Sequence, residues 1–258
     1  MAFYDWISET MIDDGGRRPV SVGWLLNDSK GGVLFDDPER LRSAGLNREH
    51  AKSASRCPAV INLESRYFVI KCPFDVHLRF ERDKDGKPRL KNMAGEKSPV
   101  RRNKLGEAVR LVNEVEWRYA DRPTLQIQTP YLFIADEPVF INQLPPFLDY
   151  LARPWPGTLF GGRFPVHIWP RPLMWAFEWH DTAKELILKR GDPWFYVNFE
   201  TMPADRAVTL VKAEMTPELQ EYTAQITGAV NYVNQTFSLF KTAEKRRPKT
   251  LLKPAEGR

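Results

Sequence analysis

Large apolar residues alternate with polar ones in many short runs of this chain, and proline or glycine separates the runs. The runs FPVHIW, MWAFEW and WFYVNF, between Trp155 and Phe199, show the alternation most clearly. Because successive side chains of a β-strand point to opposite faces, the pattern predicts half-buried strands. With ten or more such runs and no rhythm of alternating strand and helix, we predict an α+β protein dominated by antiparallel β structure, a sandwich or barrel resembling a jelly roll.

Two upstream segments extend this pattern. In DVHLRFE, the residues Val76, Leu78 and Phe80 share one face, and Asp85-Gly86 shortly afterwards is a strong hairpin signal. The run PAVINL, at residues 58–63, is interpreted as another β segment.

The C-terminal part has a helical pattern instead. Thr216 can act as an N-cap with Pro217 at the first helical position. Apolar residues then recur every three or four positions, at Leu219, Tyr222, Ile226, Val230, Val233, Phe237 and Phe240. This stripe predicts one long amphipathic helix from Pro217 to Lys245.

Short helices are predicted near the N-terminus. One is an amphipathic segment with Phe3, Trp6, Ile7 and Met11. The others are residues 37–45, where Asp37-Pro38 matches a helix start, and residues 47–54.

At 258 residues the chain is long enough for one large domain with its own core. We divide it into an N-terminal helix and strand extension (1–56), an antiparallel β domain (57–215), a C-terminal helix (216–247) and a basic tail (248–258).

The net charge of +5 is local rather than general. Residues 241–258 carry seven basic and two acidic side chains, and residues 81–104 carry nine and four, so the rest of the chain is acidic. The basic C-terminal segment therefore predicts contact with an acidic partner, and nucleic acid is a further possibility. The alternative is a solvated tail. The predicted partner-binding residues are Lys245, Arg246, Arg247, Lys249 and Lys253.

The sequence contains no apolar run of the length that crosses a membrane and no signal-peptide pattern at residues 1–16. We therefore expect no membrane association and a cytoplasmic location, or a virion location if the chain is phage-encoded. Cys57 and Cys72 are expected to be free thiols, although a bridge between adjacent strands is an open alternative.

Known catalytic motifs are missing: there is no Walker loop, GxGxxG, HExxH, GxSxG or CxxC. The most polar cluster in the Trp-rich stretch is Glu178, His180 and Asp181, which we take as the candidate catalytic residues. Glu178 and His180 share a strand face, and convergence with His167 and His77 would produce a facial metal triad for a divalent ion. That arrangement would be a cupin-like, metal-dependent β-barrel enzyme, although the ligand spacing differs from the usual HxH pattern. No cofactor is otherwise predicted.

The tryptophans allow a second alternative, a carbohydrate-binding β-sandwich in which Trp155 and Trp179 form a ligand platform. The competing interpretation is that Trp175, Phe177 and Trp179, which share one face of MWAFEW, pack into the core.

The leading hypothesis is a non-catalytic structural or interaction protein that binds a protein partner or self-assembles as a component of a larger bacterial or phage assembly. It rests on the missing catalytic motifs, the localised basic segment and the amphipathic C-terminal helix.

Overall fold

The computed structural model describes residues 18–27, 34–42, 56–95, 105–148, 154–204, 206–230 and 236–255. Short strands dominate these residues. The strands are β1 (Val20–Leu26), β2 (Glu39–Arg40), β3 (Tyr67–Lys71), β4 (Val76–Arg82), β5 (Pro88–Asn92), β6 (Arg110–Leu111), β7 (Thr124–Gln128), β8 (Tyr131–Ile134), β9 (Val139–Leu144), β10 (Gly157–Leu159), β11 (Gly162–Pro165), β12 (Met174–Trp179), β13 (Leu186–Leu188), β14 (Pro193–Thr201) and β15 (Val208–Lys212). The α-helices are α1 (Pro58–Ser65), α2 (Leu105–Ala108), α3 (Pro217–Val230) and α4 (Thr236–Arg246), with a 3₁₀ turn at Glu114–Glu116.

The described strands form four sheets, ordered β15-β1-β8, β10-β12-β7-β6, β11-β9-β14-β3-β2 and β13-β4-β5. All strand pairs are antiparallel except β1 with β15, which run parallel from the pair Val20–Val208 to the pair Trp24–Lys212. The prediction of a mainly antiparallel β protein is therefore confirmed. A barrel is not confirmed, because each of these sheets is open at both edges. A jelly roll is not confirmed either, because the described strands form four small sheets rather than two packed ones.

The aromatic face of β12 is the centre of the main core. Trp175, Phe177 and Trp179 have no exposed surface, and Trp194 of β14 packs against Trp175 with ring centroids 5.8 Å apart. The rings of Trp175 and Phe177 stack at 5.3 Å. The interpretation of this face as core is confirmed. Successive side chains of a strand point to opposite faces, so Trp175, Phe177 and Trp179, at every second position, are buried together.

The predicted hairpin is also present. β4 pairs antiparallel with β5. The turn uses Gly86 at φ 77°, a conformation that glycine adopts without steric cost.

Two N-terminal predictions are wrong. Residues 58–63, interpreted as β, lie in helix α1, because Cys57 is extended and Pro58 occupies the first turn, where its missing N–H costs nothing. Within residues 37–45, predicted as a helix, Glu39–Arg40 instead forms a short strand that pairs with β3. The predicted helices at residues 3–11 and 47–54 lie outside the described residues.

The single long C-terminal helix is not confirmed, because the structure has two shorter helices, α3 and α4. The hydroxyl of Tyr222 in α3 lies 3.0 Å from the carbonyl oxygen of Ala243 in α4. In one straight helix these residues would lie about 30 Å apart along the axis. The chain therefore reverses direction, and α3 and α4 pack against each other as a hairpin.

This hairpin has its own hydrophobic cluster, separate from the main core. Its buried members from the helices and the C-terminal segment are Leu219, Tyr222, Ile226, Ala243 and Leu251, and they pack on Leu25, Leu132, Ile134, Ile168, Trp169 and Ala213. The sheet β15-β1-β8 thus separates the two apolar clusters, because β1 and β8 contribute side chains to both.

Candidate functional site

Helix α3 begins and packs as its sequence predicts. The Thr216 hydroxyl oxygen accepts a hydrogen bond from the N–H of Leu219 at 3.1 Å, and Pro217 is the first helical residue. The buried face of α3 consists of Leu219, Tyr222 and Ile226, which are the first three positions of the predicted stripe.

Tyr222 ties α3 to both of its neighbours. Its hydroxyl lies 2.7 Å from the carbonyl oxygen of Ile168 and 3.0 Å from that of Ala243, so one proton serves two acceptors. Burial raises the pKa of Tyr222 to about 12. The phenol is therefore neutral and donating across the ordinary pH range.

Asp136, which follows β8, anchors the segment after α4. Its Oδ1 accepts hydrogen bonds from the N–H of Leu251 at 2.6 Å and of Leu252 at 3.3 Å. Its carbonyl oxygen accepts a bond from the Arg247 guanidinium at 3.1 Å. Residues 247–255 are therefore attached to the body of the protein, while the side chains of Lys249 and Lys253 stay exposed to solvent.

The end of the described chain closes this attachment. Ala213 and Pro254 form an antiparallel bridge, and the N–H of Ala255 donates to the carbonyl of Lys212 at 2.8 Å. Lys253 forms an ion pair with Glu214 at 2.7 Å, which raises the pKa of Lys253 through a side-chain hydrogen bond.

A groove runs between α3 and α4. Its apolar floor includes Trp169, Tyr222 and Ile226, and its rim includes Thr242 and Arg246. We call this feature the helix groove.

Arg246 lines the groove, and Lys241, Lys245 and Lys249 are exposed cations close to it along α4 and the segment that follows, where Glu244 is also exposed. We call Lys241, Lys245, Arg246 and Lys249 the basic rim. None of them forms an ion pair with a residue that the structure describes. Of the predicted partner-binding residues, Lys245, Arg246 and Lys249 thus remain available to a partner. Arg247 and Lys253 are used internally, by Asp136 and Glu214.

The structure brings Glu178 and His180 together. Glu178 is 2% exposed on β12, and its Oε1 lies 2.9 Å from Nε2 of His180 and 3.6 Å from the Arg122 guanidinium. Its Oε2 is buried and has no hydrogen-bond partner among the described residues. Arg122 also lies over the ring of Tyr119, 4.4 Å from its centroid.

Asp181, the third predicted catalytic residue, has a different role. Its carboxylate pairs with Lys184 at 3.0 Å and accepts a bond from the N–H of Ala183 at 3.2 Å, which is the geometry of a turn. The hydrogen bond from Lys184 lowers the pKa of Asp181. The carboxylate therefore stays ionised and directed at the turn.

The other two histidines have partners of their own. His77 on β4 forms a hydrogen bond with the Glu185 carboxylate, which also accepts a hydrogen bond from Nε of Arg79 at 3.0 Å. Nδ1 of His167 lies 3.1 Å from the backbone nitrogen of Val139, and burial lowers the pKa of His167. Among the described residues, no group of three or more His, Cys, Asp or Glu side chains has the positions needed to hold a metal ion.

The two predicted platform tryptophans differ in accessibility. Trp179 has no exposed surface, and its Nε1 donates to the carbonyl oxygen of Asp181 at 2.9 Å. Trp155 is half-buried and packs edge-on against Trp175 and Phe177. Only Trp155 of this pair presents ring surface to solvent.

Sequence reasoning missed Arg122, Tyr119 and Asp136. Arg122 and Tyr119 lie in a loop without periodicity, and only the strand pairing places that loop beside Glu178. Asp136 follows the buried run Tyr131–Ile134, and its partners are more than 100 residues away. The one local signal for Asp136 was the pair Asp136-Glu137 after an apolar strand, and such a pair is common in turns.

No protein-family model matches the chain, and no curated protein matches it either. Within the part of the chain that the structure describes, no helix is both long enough and apolar enough to cross a membrane.

Proposed function

We propose that the protein is a non-catalytic interaction protein, a component of a larger cytoplasmic or virion assembly, and that it binds its partner through the helix groove and the basic rim. The observation that carries the proposal is that Arg246 lines an apolar groove, and that the four exposed cations of the basic rim form no ion pair with a residue that the structure describes. All other basic residues of the segment 241–253 are neutralised by Asp136 or Glu214.

The surface supports a protein partner of defined chemistry. An apolar floor flanked by cations fits an amphipathic helix with an acidic polar face, because the apolar side contributes burial and the acids contribute steering. A partner that is only charged, such as nucleic acid, would leave the floor of Trp169 and Ile226 without a complement. We therefore favour protein over nucleic acid.

The test compares the size of the full-length protein's native complex with that of two charge-reversed variants. The first variant is Lys241→Glu/Lys245→Glu/Lys249→Glu, which reverses the basic rim. The second is Lys84→Glu/Lys87→Glu/Lys91→Glu, an equal charge change on the exposed part of the β4–β5 hairpin. We expect gentle extraction and size separation to give a large species for the unmodified protein and the hairpin variant, and a monomer-sized species for the rim variant.

Three results would contradict the proposal. The unmodified protein could migrate as a monomer, the two variants could lose the complex equally, or nuclease treatment could dissolve the complex. The last result would assign the basic rim to nucleic acid.

Glu178 supports a second candidate function, chemistry at a small polar site, with the cupin-like metal enzyme as its most specific form. The supporting observation is that Oε2 of Glu178, beside His180 and Arg122, is buried and has no hydrogen-bond partner among the residues that the structure describes. Protein purified without chelator should then contain stoichiometric iron, zinc or manganese. The content should fall in Glu178→Gln and stay unchanged in Glu185→Gln, a matched change at another histidine-bonded glutamate.

A further inference from the structure

A second concavity lies where the sheets β11-β9-β14-β3-β2 and β15-β1-β8 meet beside the end of α1. The described residues that line it include two arginines and no acidic side chain. We call it the arginine cavity. The lining residues that matter for its chemistry are Arg40, Ser65, Arg66, Phe68, Phe199 and Val208.

Arg40 of β2 is held in the cavity by backbone carbonyl groups. Its Nη1 donates to the carbonyl oxygen of Ser65, the last residue of α1, and its Nη2 donates to that of Val208 at 3.3 Å. The guanidinium carbon lies 4.7 Å from the centroid of the Phe68 ring. A guanidinium has five N–H donors, so these two bonds to described residues leave three donors for a ligand.

Arg66 brings a second positive charge to the same cavity. Its Nη1 donates to the carbonyl oxygen of Arg206 at 3.4 Å. Partial burial lowers the pKa of Arg40 first, and the positive charges of Arg42 and Arg66 lower it further. Arginine nevertheless stays protonated at neutral pH, so three like charges persist close enough to affect one another.

The described part of the chain does not neutralise this charge. Neither Arg40 nor Arg42 forms an ion pair with a carboxylate that the structure describes. Glu39, the acidic neighbour of Arg40 in β2, pairs with Lys71 at 2.8 Å instead. Guanidinium groups gathered in this way favour an anion that can accept several charge-assisted hydrogen bonds.

The size of the cavity limits the ligand to a small anionic group. Its volume is about 30 Å³, and one buried water needs about 10–15 Å³ on the same measure. The cavity therefore admits a group of a few heavy atoms, and the rest of a larger ligand would lie outside. The rings of Phe68 and Phe199, with centroids 5.9 Å apart, form an apolar side that strengthens the attraction between opposite charges.

We propose that the arginine cavity binds a phosphoryl dianion, as free phosphate or as the end of a phosphate monoester, between the guanidinium groups of Arg40 and Arg66. A phosphoryl group fits them better than a carboxylate does, because it has three acceptor oxygens and nearly two negative charges at neutral pH. The cavity shares no lining residue with the helix groove, so this site is independent of the proposed function.

The experiment titrates the full-length protein with inorganic phosphate, methyl phosphate and dimethyl phosphate at constant ionic strength and follows amide NMR shifts. We expect inorganic phosphate to saturate with a Kd of about 1 mM and to shift the amides of Arg66 and Val208. Dimethyl phosphate has one negative charge and should bind at least about tenfold more weakly. Binding of methyl phosphate would support a monoester as the ligand, and binding of inorganic phosphate alone would support free phosphate.

Lysine substitutions test the two guanidinium groups. Arg40→Lys and Arg66→Lys keep the charge but lose the planar pair of donors, so each should weaken phosphate binding at least about tenfold. Since Arg40 also bonds to the end of α1, Arg66→Lys keeps the test decisive if Arg40→Lys does not fold. The matched control is Arg110→Lys, at another exposed arginine of a two-residue strand on a sheet edge, and it should bind phosphate as the unmodified protein does.

Four results would overturn the inference. The first is the absence of a saturable shift at about 20 mM phosphate, twentyfold above the expected Kd. The second is unchanged binding in both Arg40→Lys and Arg66→Lys. The third is equal weakening in Arg110→Lys, which would indicate general charge attraction. The fourth is equal affinity for dimethyl phosphate, which would contradict selection of a dianion.

Discussion

The two apolar clusters of this protein are stabilised in different ways. The main core stacks large rings at full burial, with Trp175, Phe177, Trp179 and Trp194 all inaccessible to solvent. Two of these tryptophans, Trp175 and Trp194, have Nε1 groups without a hydrogen-bond partner among the described residues. The C-terminal cluster has fewer large rings and depends on polar anchors, the Tyr222 hydroxyl and the Asp136 carboxylate.

This difference indicates that the main core maintains the fold, whereas the C-terminal layer is the part that can bind a partner. Dense aromatic packing leaves no surface for a ligand, so the region richest in tryptophan is the least available one. The thinner C-terminal layer retains a groove and four exposed cations that form no ion pair within the described part of the chain. Its attachment by a few specific hydrogen bonds also makes it the part that a point mutation can loosen without unfolding the rest.

The largest effect is expected in the aromatic core. Trp175→Ala should cost about 3–5 kcal/mol of unfolding free energy, because it removes stacked contacts and leaves a cavity. Denaturant titration would measure this cost. Val115→Ala, at a residue 86% exposed, should stay within about 0.5 kcal/mol. Equal losses for the two variants would contradict the assignment of the core.

A smaller and more local effect is expected at the C-terminal anchor. Asp136→Ala should cost about 1–3 kcal/mol, because it leaves the N–H groups of Leu251 and Leu252 without their acceptor. Hydrogen exchange should rise in residues 247–255 while the β12 amides stay protected. Asp136→Asn, which keeps an acceptor oxygen, should retain much of that protection; a uniform rise across the chain would break the contrast between the regions.

Tyr222→Phe should cost about 1 kcal/mol, the usual net contribution of one buried hydroxyl. The loss should appear mainly as faster exchange in α3 and α4. Tyr119→Phe is the matched control, because Tyr119 is 44% exposed and its ring lies beside the guanidinium groups of Arg118 and Arg122. The result would contradict the anchor role if both variants were equally stable.

The same hydroxyl predicts a pH dependence. The pKa of Tyr222 is about 12 in the folded protein and about 10 in an unfolded chain. The folded state therefore holds this proton more tightly, and the stabilisation is complete below pH 10 and lost as pH rises towards 12. Unfolding measured from pH 9 to 12 should show this loss, and it should be smaller in Tyr222→Phe.

The smallest effect concerns thiol reactivity. Burial raises the pKa of the Cys72 thiol to about 12, whereas Cys57 is exposed. An alkylating reagent at neutral pH should modify Cys57 in the folded protein and leave Cys72 unmodified. Mass spectrometry would measure the alkylation of each cysteine. If Cys57 and Cys72 reacted at the same rate, the burial of Cys72 in the core would be contradicted.

The sequence pattern predicts most of the strands, but fewer of the helices, turns and side-chain contacts around them. Alternation located β4, β7, β9, β12 and β14 because period-two patterning follows directly from half-burial. It failed at residues 58–63, where the run of apolar residues is compatible with either a strand or a helix, and Pro58 at the first turn favours the helix. Of FPVHIW, only the beginning is strand, since Val166 to Ile168 belong to a turn beside Trp169.

The candidate sites show the same limit. Glu178 and His180 are two residues apart, so local geometry alone brought them together. The pairing of Asp136 with Leu251, or of Arg122 with Glu178, depends on how distant strands come together, and no local pattern encodes that. The C-terminal stripe predicted the helical conformation correctly, but spacing alone does not locate the reversal between α3 and α4.

The parallel pairing of β1 with β15 has a consequence for how the protein forms. Residues 20–24 pair with residues 208–212, so the first described strand of the chain has to wait for the last one to be synthesised. Contacts of such long sequence separation slow folding, because a large loop must close before they are gained. Until then β1 has β8 on one edge and an unpaired edge on the other. During translation the nascent chain therefore presents an open strand edge, a feature that favours aggregation until β15 pairs with it.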